Sequence, residues 1–96
     1  DYRIPQLLRH LNIMQYNIEL SEKIDHLKPL LAGSIEEIQI RAATVYSVEK
    51  MCQILNKNKE KDSYIYPFQL DWILWERGEA SLSLLKPHHR VLKHYY

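Results

Sequence analysis

Glycine and cysteine are almost missing from this chain, and so is any surplus of charge. Gly33 and Gly78 are the only glycines in 96 residues, which leaves no glycine-rich phosphate loop. The single Cys52 excludes an internal disulfide, fits a reducing compartment, and lies among apolar neighbours as a small core residue. Thirteen Lys and Arg stand against twelve Asp and Glu, a formal charge of +1. That balance supplies no electrostatic footprint for nucleic acid or an anionic membrane. No apolar run approaches a membrane span and no basic-then-apolar signal segment opens the chain, so a soluble, cytoplasmic protein without a membrane partner is expected. Alternation long enough for a sheet is also lacking, and there is no internal repeat or low-complexity tract. The expected class is all-α, a single unit over residues 1–96 with four to five helices.

What is present is an ordinary globular composition, 46% hydrophobic and 26% charged. Pro5 suits the first turn of a helix and discourages helix at Ile4, which leaves Asp1, Tyr2 and Arg3 before the helix. Ile4, Leu7, Leu8 and Leu11 then fall at the spacing of one buried face, in a helix expected to reach about Ile13 and to loosen at Asn12. Tyr16 is a candidate core anchor in the following connection. Ser21 with Glu22 and Asp25 reads as the next helix start, Pro29 as its end or kink, and Ala32-Gly33-Ser34 as its close.

Ser34 and Glu37 form a capping-box pattern ahead of the longest helix, which reaches Leu55 or Asn56. Ile35, Ile38, Ala42, Val45, Val48, Cys52 and Leu55 are its expected core face. Asn56 to Ser63 carries no apolar residue after Asn56 and reads as a solvated loop. Pro67 opens another helix, and Phe68, Leu70, Trp72, Ile73, Leu74 and Trp75 make it apolar nearly all round, the pattern of a buried central helix. Within it Asp71 is expected to be paired or to have a raised pKa. Gly78 is the expected stop.

Two stretches carry candidate chemistry. Asp1-Tyr2-Arg3 places a carboxylate, a phenol and a guanidinium at the mouth of a helix, where helix-start electrostatics and surface ion pairing are the bland alternatives. His88, His89 and His94 fail as a metal site in both ligand number and spacing, so no metal is expected. Arg90, as a bidentate donor, and His89 fit anion recognition better, the alternative being a closing segment that packs its tyrosines and solvates its charges.

Four motifs in one order then say more than their separate physics. Asp1-Tyr2-Arg3-Ile4-Pro5-Gln6, Glu37-Ile38-Gln39-Ile40-Arg41, Leu70-Asp71-Trp72-Ile73-Leu74-Trp75, and Pro87-His88-His89-Arg90 with Tyr95-Tyr96 resemble the C-terminal part of the queuosine salvage protein family, the queuosine 5′-phosphate N-glycosylase/hydrolases. The resemblance implies an all-helical unit like the helical DNA glycosylases, acting on a free nucleotide without a cofactor. It implies hydrolysis of queuosine 5′-monophosphate to release queuine for reinsertion into tRNA, with no direct nucleic-acid partner. Asp1 matches the family's active-site aspartate. Its role as nucleophile, electrostatic stabiliser or base stays open. Tyr2, Arg3, His89 and Arg90 are the expected ribose or phosphate contacts, Glu37 and Arg41 a brace along their helix, and Asp71 a structural residue.

A single-domain enzyme of this kind is about three times the length of the chain. The chain is therefore expected to be the last third of one, incomplete as a catalyst, with the upstream part as its partner. The contrasting reading is a helical interaction module. Trp72 and Trp75 discriminate: buried, they belong to a core helix; exposed together, they form a binding face.

Overall fold

The computed structural model describes residues 2–92. Among them four α-helices are joined by short connections: α1 (Arg3–His10), α2 (Ile18–Asp25), α3 (Ile35–Asn56) and α4 (Pro67–Ala80). The one addition to the all-helical expectation is a pair of two-residue strands, β1 (Leu30–Leu31) and β2 (Val91–Leu92), aligned in parallel with Leu30 opposite Val91. Two residues are too few for alternation to register.

Helix α1 starts earlier than expected, with Tyr2 as its N-cap and Arg3 inside its first turn. Pro5 permits this because the first turn's N–H groups have no intrahelical partner, so proline's missing donor costs nothing there. The helix also ends earlier. Asn12 takes a left-handed conformation (φ 60°), its N–H reaches the Arg9 carbonyl at 3.1 Å, and Ile13 N–H reaches Leu8 at 2.9 Å. That is a Schellman stop with asparagine in the position glycine usually fills.

Helix α2 begins at Asn17, whose side chain accepts from Leu20 N–H at 2.8 Å, and not at Ser21. It stops before Pro29 through the same kind of closure, with Leu27 at φ 61°. Ser34 caps α3 through Glu37 N–H, but only half of the capping box forms. The Ser34 N–H is bonded to Leu31 instead, and the Glu37 carboxylate turns to Arg41.

The core has two parts. Ile4, Leu7 and Leu8 of α1 pack with Met14, Val48, Cys52, Leu70 and Leu74, while Leu20, Ile24 and Leu30 gather around Ile40. Helix α3 thus serves a different cluster at each end, and its buried stripe is Glu37, Ile40, Val48 and Cys52. Val48 and Cys52 sit as expected, whereas Ile35, Ile38, Val45 and Leu55 are exposed.

Helix α4 departs most from its sequence pattern. Leu70, Leu74 and Gly78 are buried, but Phe68, Trp72, Ile73 and Trp75 are exposed, and the two indoles stack at 5.7 Å. Nothing among the described residues covers that face. Gly78 does not stop the helix either; it lets α4 approach α1. A Cβ there would lie 2.9 Å from Arg3 Cγ and 3.0 Å from Cδ.

Gly78→Ala therefore sets the higher helix propensity of alanine, about 1 kcal/mol, against a clash with a buried stem costing roughly 1–3 kcal/mol. A net loss of about 1 kcal/mol is expected in urea unfolding. Unchanged or higher stability would mean that the Arg3 stem moves aside freely.

Candidate functional site

Residues 86–92 lack regular helical bonding and are held from outside. Gln6 Nε2 donates to the Lys86 carbonyl at 2.7 Å. Tyr2 and His88 bring their rings to 4.1 Å, tilted by 33°. Leu30 N–H donates to the Arg90 carbonyl at 2.7 Å and Ala32 N–H to Leu92 at 3.2 Å, which fastens the segment to β1. The His88 Nδ1–H donates to the His89 carbonyl at 2.8 Å, a tautomer that follows from a carbonyl's inability to donate.

These attachments draw the closing segment across the face of α3 and enclose a cleft of about 840 Å³. That volume lies within the range of small-molecule sites. Tyr2, Ile4 and Pro5 line one side, Ile40, Val45 and Val48 supply an apolar floor, and His88, His89 and Arg90 close another side. Three carboxylates reach it, from Glu37, Glu49 and Asp71, together with Arg41. An apolar floor ringed by separate acids and bases suits an amphipathic ligand with a planar part.

The polar groups divide by burial. Arg90 and Asp71 are exposed on the cleft wall. Glu37 is 7% exposed; one carboxylate oxygen accepts from Arg41 and the other, Oε2, has no hydrogen-bond partner among the described residues. His89 Nδ1 is likewise buried and unpartnered. Burial holds the His89 pKa below its ordinary 6.5, the neighbouring His88 adds to the fall, and Glu37 opposes it. The imidazole is consequently neutral at pH 7. In the core cluster the Cys52 thiol is pushed up by burial and by the charges of Asp71 and Glu49, so it remains a thiol. Among the described residues no group of three His, Cys, Asp or Glu is arranged to hold a metal ion.

Three of the expected contacts, Tyr2, His89 and Arg90, line this cleft. Arg3 is not on its lining. Its Nε donates to Glu79 at 3.0 Å, its Nη1 donates to Gln6, and its guanidinium lies 5.1 Å from the Tyr2 ring. Asp1 lies outside the described residues, as do His94, Tyr95 and Tyr96. Asp71, expected as a paired core residue, borders the cleft instead. The visible signal was a carboxylate inside an apolar block, read as a burial problem when Asp71 in fact lies on the exposed side of that helix. Glu37 and Arg41 do form the expected brace, and both also line the cleft.

Comparison with known proteins decides the relationship. The profile of the queuosine salvage protein family matches residues 1–96. The chain belongs to the queuosine salvage protein family. It is 44% identical over 96 residues to the queuosine 5′-phosphate N-glycosylase/hydrolase of Dictyostelium discoideum, covering 100% of this chain and 29% of that protein. The proteins of the same name from Sphaerobacter thermophilus and Mus musculus are 36% and 31% identical, again over all of this chain and over 29% and 30% of their own lengths. This queuosine salvage family chain therefore spans less than a third of the curated relatives it matches. None of the helices among the described residues is long and apolar enough to cross a membrane.

A histidine held neutral by burial binds fewer protons folded than unfolded, so its contribution to stability is intact above 6.5 and declines as pH falls through that value. In an NMR titration the His89 ring is expected to titrate below 6.5, and Glu37→Gln should lower the midpoint further by removing the one charge that favours imidazolium. A midpoint above 6.5, or an upward shift in the variant, would contradict the burial of this ring.

Proposed function

We propose that this chain forms one wall of the active site of a nucleotide N-glycosidase that hydrolyses queuosine 5′-monophosphate. The observation that carries the reading is the convergence of Tyr2, His89 and Arg90, from opposite ends of the chain, on one cleft that also holds carboxylates. Their positions agree with what the family relatives' name says those proteins act on.

In the reaction the ribosyl C1′–N bond breaks with its electron pair on the base, a water oxygen bonds to C1′, and the departing base takes up a proton. Positive charge builds on the sugar as the bond opens. A carboxylate beside C1′ stabilises that charge or captures it covalently, which is the task assigned to Asp1, next in sequence to the cleft residue Tyr2. Arg90, exposed and permanently charged, suits the 5′-phosphate. Neutral His89 has one ring N–H to donate to the substrate, and Tyr2 presents its ring and hydroxyl beside it. Arg3 acts from behind them, bonded to Glu79 and Gln6 and flanking the Tyr2 ring. A deazapurine lacks the ring nitrogen that purine hydrolases commonly protonate, so the proton reaches the leaving group elsewhere. No cofactor enters this scheme, and a cytoplasmic setting belongs to the same reading.

The exposed Trp72–Trp75 pair favours a docking face on α4 as well. We assign its occupant to the remainder of the family-length protein, since the matched relatives extend well beyond what this chain covers. Docking and catalysis are then parts of one assembly.

Queuine release from queuosine 5′-monophosphate is expected only when this chain is combined with the upstream part of the protein, and Asp1→Asn should reduce it by at least about 100-fold. Absence of release from an assembled, folded pair would overturn the glycosidase reading and leave docking as the function. Alone, the chain is expected to self-associate in sedimentation through its uncovered apolar face. A concentration-independent monomer would count against that face as an interface.

A further inference from the structure

Glu37 and His89 contribute two buried, unpartnered polar atoms to the same cleft. A carboxylate oxygen without a donor and an imidazole nitrogen without a partner among the described residues each carry an uncompensated desolvation cost, larger for the charged group. Such a cost is removed when a ligand supplies the missing partners. Glu37 is held in place for this purpose: Arg41 occupies Oε1, and the helix cap at Ser34 fixes the first turn of α3 around it. His89 is fixed by its neighbours, with His88 stacked on Tyr2 and Arg90 tied to β1.

The two atoms have different requirements. Oε2 accepts only, and a neutral imidazole nitrogen in its N–H form donates. A phosphate is a poor occupant, because an uncompensated buried carboxylate repels it. A planar lactam matches both, since it carries a ring N–H and a carbonyl side by side. Apolar Ile40 and Val48 on the cleft floor suit the faces of the same ring.

Resting on the glycosidase reading above, we propose that Glu37 and His89 read the lactam edge of the substrate's 7-deazaguanine base, Glu37 Oε2 accepting from the ring N–H and His89 Nδ1–H donating to the ring carbonyl. Oε2 has a second lone pair for the adjacent exocyclic amine. The pair then makes the site selective for a guanine-type base over an adenine-type one, whose edge carries an amino donor and a bare ring nitrogen in these places. Glu37 is thus a specificity residue in addition to a brace for its helix.

The test uses this chain combined with the upstream part of the protein, with three probes, 7-deazaguanine, 7-deazaadenine and ribose 5-phosphate, and binding read by calorimetry. Wild type is expected to bind 7-deazaguanine at least about tenfold more tightly than 7-deazaadenine, as one charged hydrogen bond warrants. Glu37→Gln should bring the two bases close to parity and leave ribose 5-phosphate unchanged. His89→Ala should lose most of the preference, and His89→Asn, whose amide restores a donor near Nδ1, should recover part of it. Thermal unfolding of each variant separates folding loss from recognition, and a purely bracing role for Glu37 would lower the melting temperature without moving the base ratio. No saturable binding of 7-deazaguanine, equal affinity for both bases in wild type, an unmoved ratio in Glu37→Gln, or a loss confined to ribose 5-phosphate would each overturn the assignment. Queuine release from the combined protein alongside such a result would sink this inference alone. A base preference that behaves as expected without release would sink only the glycosidase reading.

Discussion

The structure depends on a buried guanidinium. Arg3 is 7% exposed in the first turn of α1, and it joins Glu79 at the end of α4 to Gln6, which in turn holds the Lys86 carbonyl. One side chain therefore ties the first helix, the last helix and the closing segment together. A buried charge is tolerated only with such partners, and removing one leaves the other's charge without its compensation. Gly78 belongs to the same arrangement because it leaves room for the Arg3 stem between the helices. The cleft exists because this relay and the β1–β2 ladder hold residues 86–92 at their two ends.

The helices were legible where local chemistry acts alone. Pro5 and Pro67 mark helix starts, Ser34 caps α3, and Asn12 closes α1, each through backbone groups within a few residues. Burial was less legible, because it is set by neighbours far along the chain. The α3 pattern of β-branched and apolar residues admits more than one face, and only the division of its length between two clusters selects Ile40, Val48 and Cys52 over Ile35 and Val45. Helix α4 shows the same limit more sharply. Its all-round apolar pattern is real, yet only Leu70, Leu74 and Gly78 have a covering partner among the described residues.

The site divides along a similar line. Tyr2, His89 and Arg90, which line the cleft, were readable as candidates from motifs and from their chemistry as donors. Their convergence was not readable, since it depends on a parallel pairing between two-residue strands whose partners, Leu30 and Val91, lie 61 positions apart. Arg3 carries the opposite lesson. An arginine beside a candidate catalytic acid looks like a ligand contact, but its fork is engaged by Glu79 and Gln6. The family match adds a relationship to known proteins, which no pattern of helices contains.

Two kinds of incompleteness coexist in the chain, and they concern different faces. On α4 the unmet requirement is apolar: stacked indoles in water, a cost that any sufficiently large nonpolar surface relieves. In the cleft it is polar and directional: a carboxylate oxygen and an imidazole nitrogen that only matched hydrogen-bonding groups relieve. The first kind selects a partner by area and the second by chemistry. Asp71 lies on the same helix as both, one residue before Trp72 and on the cleft wall. Covering the indoles therefore constrains the helix that positions a cleft carboxylate. This physical link couples the α4 indole face to the geometry of the cleft.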